Sequence, residues 1–517
     1  MAEQKRTGGG VTYSHAEEGY FEKRQLQRSA GFWGLWGIGV AAVISGDFSG
    51  WNFGIGSAGW GGLLIASVVI IVMYFGMLFS IGEMSAAMPH TGGAYSFARA
   101  SMGPWGGFVT GLAETIEYVF TTGVIVLFSA GYANAATDEL FGLDLSDNMW
   151  IWWLVLYVAF VGLNSAGAEL SFKFAIAVAV ISIGILVLFA VLAFANGAVD
   201  FGQLNDIEPE AGNSTFLPFG WTGVLYALPF AMWFFLGIEE LPLAAEEAHD
   251  PARDIPRAGI VGMLTLVACG ALVFFINPAV TGSDALGDSG EPLLDGFRAF
   301  LPAGWAAALS LFALIGLLAS LQGIMFAYGR NMYSLSRAGY YPKALSVTGA
   351  RKTPYAALIA GAVFGFVVLL VVDFIAQRSD SLADTANAVV LNIAVWGAVL
   401  AYILQMVSFV LLRQKFPNAE RPYKSPVGVA GAVVAGAIAA VTFIGLFINE
   451  DFRAAIIAIA VLYAIALVAF AVFGRHRLVL SPEEEYAMSG GLHRDPEVEH
   501  YGADLEKELP PEDFTAR

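Results

Sequence analysis

Long apolar runs separated by short polar stretches recur along the chain from about residue 31 to residue 473. Most reach the roughly 18 residues that a helix needs to cross a bilayer. None shows the two-residue alternation of a barrel strand. The pattern predicts an all-α integral membrane protein of twelve spans, at 31–53, 61–87, 106–136, 150–164, 172–194, 223–244, 258–280, 306–333, 356–374, 386–412, 428–448 and 453–473. Two runs are interrupted. The first carries Ser45-Gly46-Asp47-Phe48-Ser49, and the sixth carries Gly237-Ile238-Glu239-Glu240-Leu241-Pro242. A carboxylate at mid-bilayer costs about 2.5–3.5 kcal/mol on insertion scales. Glycine beside it weakens the helix, and proline ends it.

The interruptions lie five spans apart, so spans one to five and six to ten read as corresponding halves. Five is odd, and the halves must face opposite ways across the membrane. Interrupted helices at matching places in inverted halves mark a midplane binding site of a secondary transporter. A glycine that merely eases helix packing is the plainer reading of either break alone. Two matched breaks, each with a carboxylate, favour the site.

The loops support the count. With the N-terminal tail placed in the cytoplasm, the loops on that side hold Arg99, Arg253, Arg257, Arg337, Lys343, Arg351, Lys352, Arg413, Lys415, Arg421 and Lys424. The opposite loops hold only Arg298, Arg378 and Arg453. This asymmetry satisfies the positive-inside rule and predicts that both termini are cytoplasmic. Mean hydropathy is +0.66, and only 14% of residues are charged, which excludes an ordinary soluble domain. The net charge of −18 resides largely in tails and loops, including Glu483-Glu484-Glu485, and reads as solvated surface. The polar N-terminus is too long and acidic for a cleaved signal peptide, so the first span is expected to stay as an uncleaved anchor. Cys269 is the sole cysteine, which rules out a disulfide framework.

Four stretches resemble the amino acid–polyamine–organocation superfamily. They are Gly46 to Phe53; Met88-Pro89-His90-Thr91-Gly92-Gly93-Ala94-Tyr95 with Gly106-Gly107-Phe108; Gly237-Ile238-Glu239 with Ala245-Glu246-Glu247 and the Asp250 to Arg257 loop; and Gly329-Arg330 with Leu335-Ser336-Arg337-Ala338-Gly339. Within the superfamily, Ile44 to Asn52 and Glu239 to Glu247 are most similar to bacterial ethanolamine permeases. The resemblance implies twelve helices, the first ten forming inverted five-helix repeats, and alternating access around broken helices one and six. The chain then divides into a cytoplasmic tail (1–29), a permease domain (30–475) and an acidic cytoplasmic tail (476–517).

Amino-acid members of the superfamily commonly receive a substrate carboxylate on the backbone of the first break. Asp47 stands there in this chain. Two unit charges 4 Å apart interact by about 4 kcal/mol at an effective dielectric of 20, with a sign that favours an ammonium and disfavours a carboxylate. The expected substrate is a small amine, ethanolamine first, imported across the bacterial inner membrane. The alternative is an amino acid permease of the same fold, and after it a sensor without net transport. The candidate substrate-binding residues are Ser45, Gly46, Asp47, Phe48, Phe234, Phe235, Gly237 and Glu239. The aromatic residues flank an ammonium, and Glu239 either binds the amine or braces the break.

Glu114 and Glu117 lie three apart on one helical face of span three, and either is a candidate to carry a coupling proton. Some proton-coupled relatives place a lysine in helix five where Ser182 stands here. Gly329 replaces a serine that offers a sodium ligand in relatives. A proton is therefore the favoured coupling ion, with sodium the alternative. Lys173 is expected to snorkel to the interface. The six histidines fall in predicted cytoplasmic loops and tails without metal-ligand spacing. No nucleotide, zinc-protease or nucleophile motif appears, so no cofactor, metal, nucleic acid or enzymatic activity is expected.

Overall fold

The computed structural model describes residues 6–8, 11–14, 23–24, 26–89, 91–378 and 386–479. His15, His90, His493, His500 and the acidic segment beyond residue 479 lie outside the described residues. Among the described residues, ten helices are long and apolar enough to cross a membrane, and two shorter apolar helices complete the twelve spans.

In chain order the first seven helices are α1 Phe32–Val43, α2 Phe53–Ala87, α3 Gly93–Phe141, α4 Trp150–Ser165, α5 Ala168–Ala195, α6 Gly220–Trp233 and α7 Pro251–Thr281. Two short helices follow outside the spans, α8 Ser283–Gly287 and α9 Pro292–Arg298. The remainder are α10 Ala303–Arg337, α11 Tyr355–Ala376, α12 Ala386–Lys415, α13 Gly428–Ile448 and α14 Glu450–Val472. α2 turns a corner at Gly59, so residues 53–58 complete the first span before the second begins. α3 turns likewise at Gly103, ahead of Pro104. Arg99, expected in a loop, instead lies buried on the short helical stretch before that corner.

The helices pack in two groups. α2 lies against α6 and α7, and α1 against α7; α10 lies against α3, α11 and α4, and α11 against α4. Spans one, two, six and seven thus form one set, and spans three, four, eight and nine another. α1 also contacts α10, and α12 lies along α3. Apolar side chains such as Val363, Phe364, Val433 and Ile465 point outward, as lipid contact requires.

Ion pairs tie the helix ends on the face that carries the basic loops. Glu83 pairs with Arg413 at 2.6 Å and Arg421 at 3.1 Å, and Glu246 pairs with Arg337 at 2.5 Å. Strand β1 (Arg6–Gly8) pairs antiparallel with β2 (Val11–Ser14), which pairs parallel with β3 (Leu478–Val479). This small sheet holds both ends of the chain on one side, as an even number of spans requires. Across the membrane, the α8–α9 segment covers the first break: Asn52 donates to the carbonyls of Leu286 and Ser289, and Ser49 to that of Gly290.

Candidate functional site

The first break follows α1 directly. After Val43 the chain tightens into a 3-10 turn, Ile44–Asp47, before resuming at Phe53. Ser320 of α10 takes up backbone groups freed there: its hydroxyl accepts from the Ser45 N–H at 2.8 Å and donates to the Ala41 carbonyl at 2.7 Å. Gly46 lies against the other break. A Cβ at this position would overlap the Trp233 carbonyl oxygen, so only glycine lets the two unwound segments meet. Trp233 in turn donates its indole N–H to the Ser49 carbonyl at 2.9 Å.

The second break opens where α6 ends. Residues 234–236 turn, and Gly237 takes φ +110°, a conformation closed to side-chain-bearing residues at low cost. A 3-10 helix, Ile238–Glu247, carries the chain onward. Glu239 braces this corner by accepting the Gly237 N–H at 3.1 Å.

Two acidic foci result. At the first, Asp47 is 1% exposed and neither carboxylate oxygen has a hydrogen-bond partner. It faces α7 at Gly270, where a Cβ would sit 3.3 Å from both Asp47 Oδ1 and the Phe234 ring. The Trp51 and Phe234 ring centroids lie 5.3 Å apart, and those of Phe234 and Phe235 lie 5.9 Å apart. A buried anion without a donor is normally avoided. Beside an aromatic face, it forms the two-sided setting that an ammonium group takes.

At the second focus, Glu117 and Glu239 are both buried around the Tyr402 hydroxyl. Tyr402 donates to Glu117 Oε1 at 3.1 Å, and the Tyr402 and Tyr74 hydroxyls lie 3.3 Å apart. Glu117 Oε2 and Glu239 Oε1 have no hydrogen-bond partner. A buried carboxyl oxygen without a donor is relieved by a proton or a cation. Phe235 stacks edge-on to Tyr74 at 5.6 Å, so the Phe234–Phe235 pair spans from one focus to the other.

The remaining candidates separate. Phe48 presses its ring onto Gly316 of α10, and its carbonyl accepts the Tyr132 hydroxyl. Glu114, the alternative to Glu117 as proton carrier, accepts from Asn331 at 3.2 Å and from Tyr118 at 3.4 Å. Ser182 donates to Val178 within its own helix. Lys173 pairs with Glu169 at 2.7 Å on an exposed face, and Gly329 packs against Leu358. Tyr74, Tyr402, Ser320 and Gly270 were not legible as site residues, since each is a lone small or polar position in an apolar run. Glu240 also emerges, buried with neither oxygen partnered, toward the Arg330–Glu247 pair.

Residues 34–480 match the amino acid permease family. The chain belongs to that family. An uncharacterized transporter of Rhizobium meliloti is 27% identical over 83% of this permease and 88% of its own length. The branched-chain amino acid permease BcaP of Bacillus subtilis is 25% identical, covering 78% of this chain and 85% of its own. A probable GABA permease of Pseudomonas aeruginosa is 26% identical, over 74% and 79%. A manganese transporter mutant of Eremococcus coleocola, of known crystal structure, superposes with a TM-score of 0.52 at 13% identity, over 88% of this chain and 97% of that one. That likeness concerns the fold alone. This permease is therefore a multi-pass membrane transporter of small molecules and not an enzyme.

Proposed function

We propose that this permease imports a small amine lacking a carboxylate near its ammonium group, ethanolamine first, by alternating access between the two helix breaks. The observation that carries this reading is the Asp47 carboxylate, buried without a donor beside Phe234 where the breaks touch. An α-amino acid would bring its own carboxylate within a few ångströms of Asp47, which opposes binding. Glu117 and Glu239 carry the coupling proton, with sodium as the alternative ion. The protein resides in the inner membrane with both termini cytoplasmic.

Uptake of labelled ethanolamine into proteoliposomes, under imposed proton or sodium gradients and with amino acids as competitors, tests the whole reading. Accumulation that α-amino acids do not inhibit is the expected result. Uptake of α-amino acids in preference to ethanolamine would sink it, and binding without accumulation would favour a sensor. The relative described as a probable GABA permease suggests a second reading. In GABA three carbons separate the ammonium from the carboxylate, so its carboxylate can lie away from Asp47.

A further inference from the structure

Outside the site, two cavities of about 690 and 510 Å³ share the lining residues Leu112, Tyr341 and Ala466. They adjoin in one groove bounded by α3, α10, α11, the 339–343 loop and α14. The larger part opens on the face of the basic loops, where Lys343, His476 and Arg477 line it. The smaller part continues among membrane-spanning residues, with Ile116, Phe120, Phe364 and Leu462 on its walls. Among the described residues, none of the side chains lining either cavity is acidic.

From this juxtaposition we infer that the groove binds an anionic phospholipid of the adjacent leaflet, its phosphate at Lys343 and Arg477 and an acyl chain along Ile116 and Leu462. A cationic mouth at the membrane surface attracts an anionic headgroup, and the apolar continuation accepts the chain that a free phosphate lacks. Aromatic residues stand at the junction, Tyr341 shared by both parts and Phe473 at the mouth, the interfacial placement such side chains favour. A second copy of the chain would bring an identical cationic mouth to a two-fold contact, and like charges would oppose it. The occupant lies between α14, which leads into β3, and α3 and α10, and so fastens the last span to the body of the protein. This inference stands independently of the transported substrate.

The purified full-length protein, stripped of lipid and titrated with phosphatidylglycerol or phosphatidylcholine under native mass spectrometry, tests it. Wild type should retain phosphatidylglycerol in preference. Each basic side chain near a surface favours an anionic lipid about fivefold, so Lys343→Gln with Arg477→Gln should reduce that preference about thirtyfold. Ala466→Phe, which narrows the passage between the two parts, should reduce retention of both lipids while leaving thermal unfolding cooperative. Equal retention of the two lipids, unchanged preference in the double variant, or full displacement by inorganic phosphate would each overturn the proposal. So would variants that dissociate a dimer without changing lipid retention, which would assign the groove to a second copy.

Discussion

Replacing Asp47 by asparagine keeps the volume and removes the charge. A hydrogen bond to a charged group contributes about 1.5–3 kcal/mol, so Asp47→Asn should raise the KM for ethanolamine about tenfold to a hundredfold in proteoliposomes. The same change should make α-amino acids better competitors, because the repulsion of their carboxylate disappears. An unchanged KM would remove Asp47 from the site. Glu117 gives a different signature. With Oε1 engaged by Tyr402 and Oε2 unpartnered near Glu239, Glu117→Gln should abolish accumulation driven by an inward proton gradient and preserve counterflow exchange. Loss of both would mark Glu117 as a binding or folding residue instead. Gly46→Ala is expected to stop transport outright, since its methyl overlaps the Trp233 carbonyl and drives the breaks apart.

Among the elements, the continuation of the second break is fastened by a wholly buried ion pair. Arg330 meets Glu247 through two nitrogens, at 2.9 and 3.2 Å, and stacks 3.5 Å above Phe326. Breaking a buried pair from one side typically costs about 3–5 kcal/mol, and removing both charges is far milder. Glu247→Gln or Arg330→Met should therefore lower the unfolding midpoint in detergent strongly, and the double variant should recover most of the loss. Equal losses in all three would show that Arg330 acts through packing. The breaks themselves were readable because glycine, proline and carboxylate stand out locally in an apolar run. Their surroundings were not. Ser320 and Gly270 reach Asp47's neighbourhood from helices hundreds of residues away, and nothing in their own segments distinguishes them from packing positions. The Glu114–Glu117 spacing put both on one face, yet Glu117 accepts from Tyr402 and Glu114 from Asn331. Helical phase places two residues on one side of a cylinder without saying which neighbour each will meet.

For the whole molecule, the twelve spans followed from apolar run length, whereas their packing into two groups had no signal in the sequence and the sheet joining the two ends lay in tails that read as featureless. β2 and β3 place residues 11–14 and 478–479 side by side, so reporters fused at either terminus should be accessible from the same side of the membrane. On the opposite face, half-buried Glu291 has its proton affinity raised by burial and by nearby Asp295, against the opposing pull of Arg298. The folded state therefore holds that proton more tightly than the unfolded one. Its stabilising effect is full below the ordinary glutamate range near pH 4.3 and is lost as pH rises through the raised value. Unfolding midpoints should fall over that window, and Glu291→Gln should flatten the slope. The Asp47 carboxylate at the first break, buried without a donor, also gives a cation a partner that the unfolded chain does not present. An amine that binds there should raise the melting temperature, adding about 2.7 kcal/mol of stability at a hundredfold excess over Kd. Heat alone can thus rank amines as ligands, with no vesicle, gradient or radiolabel.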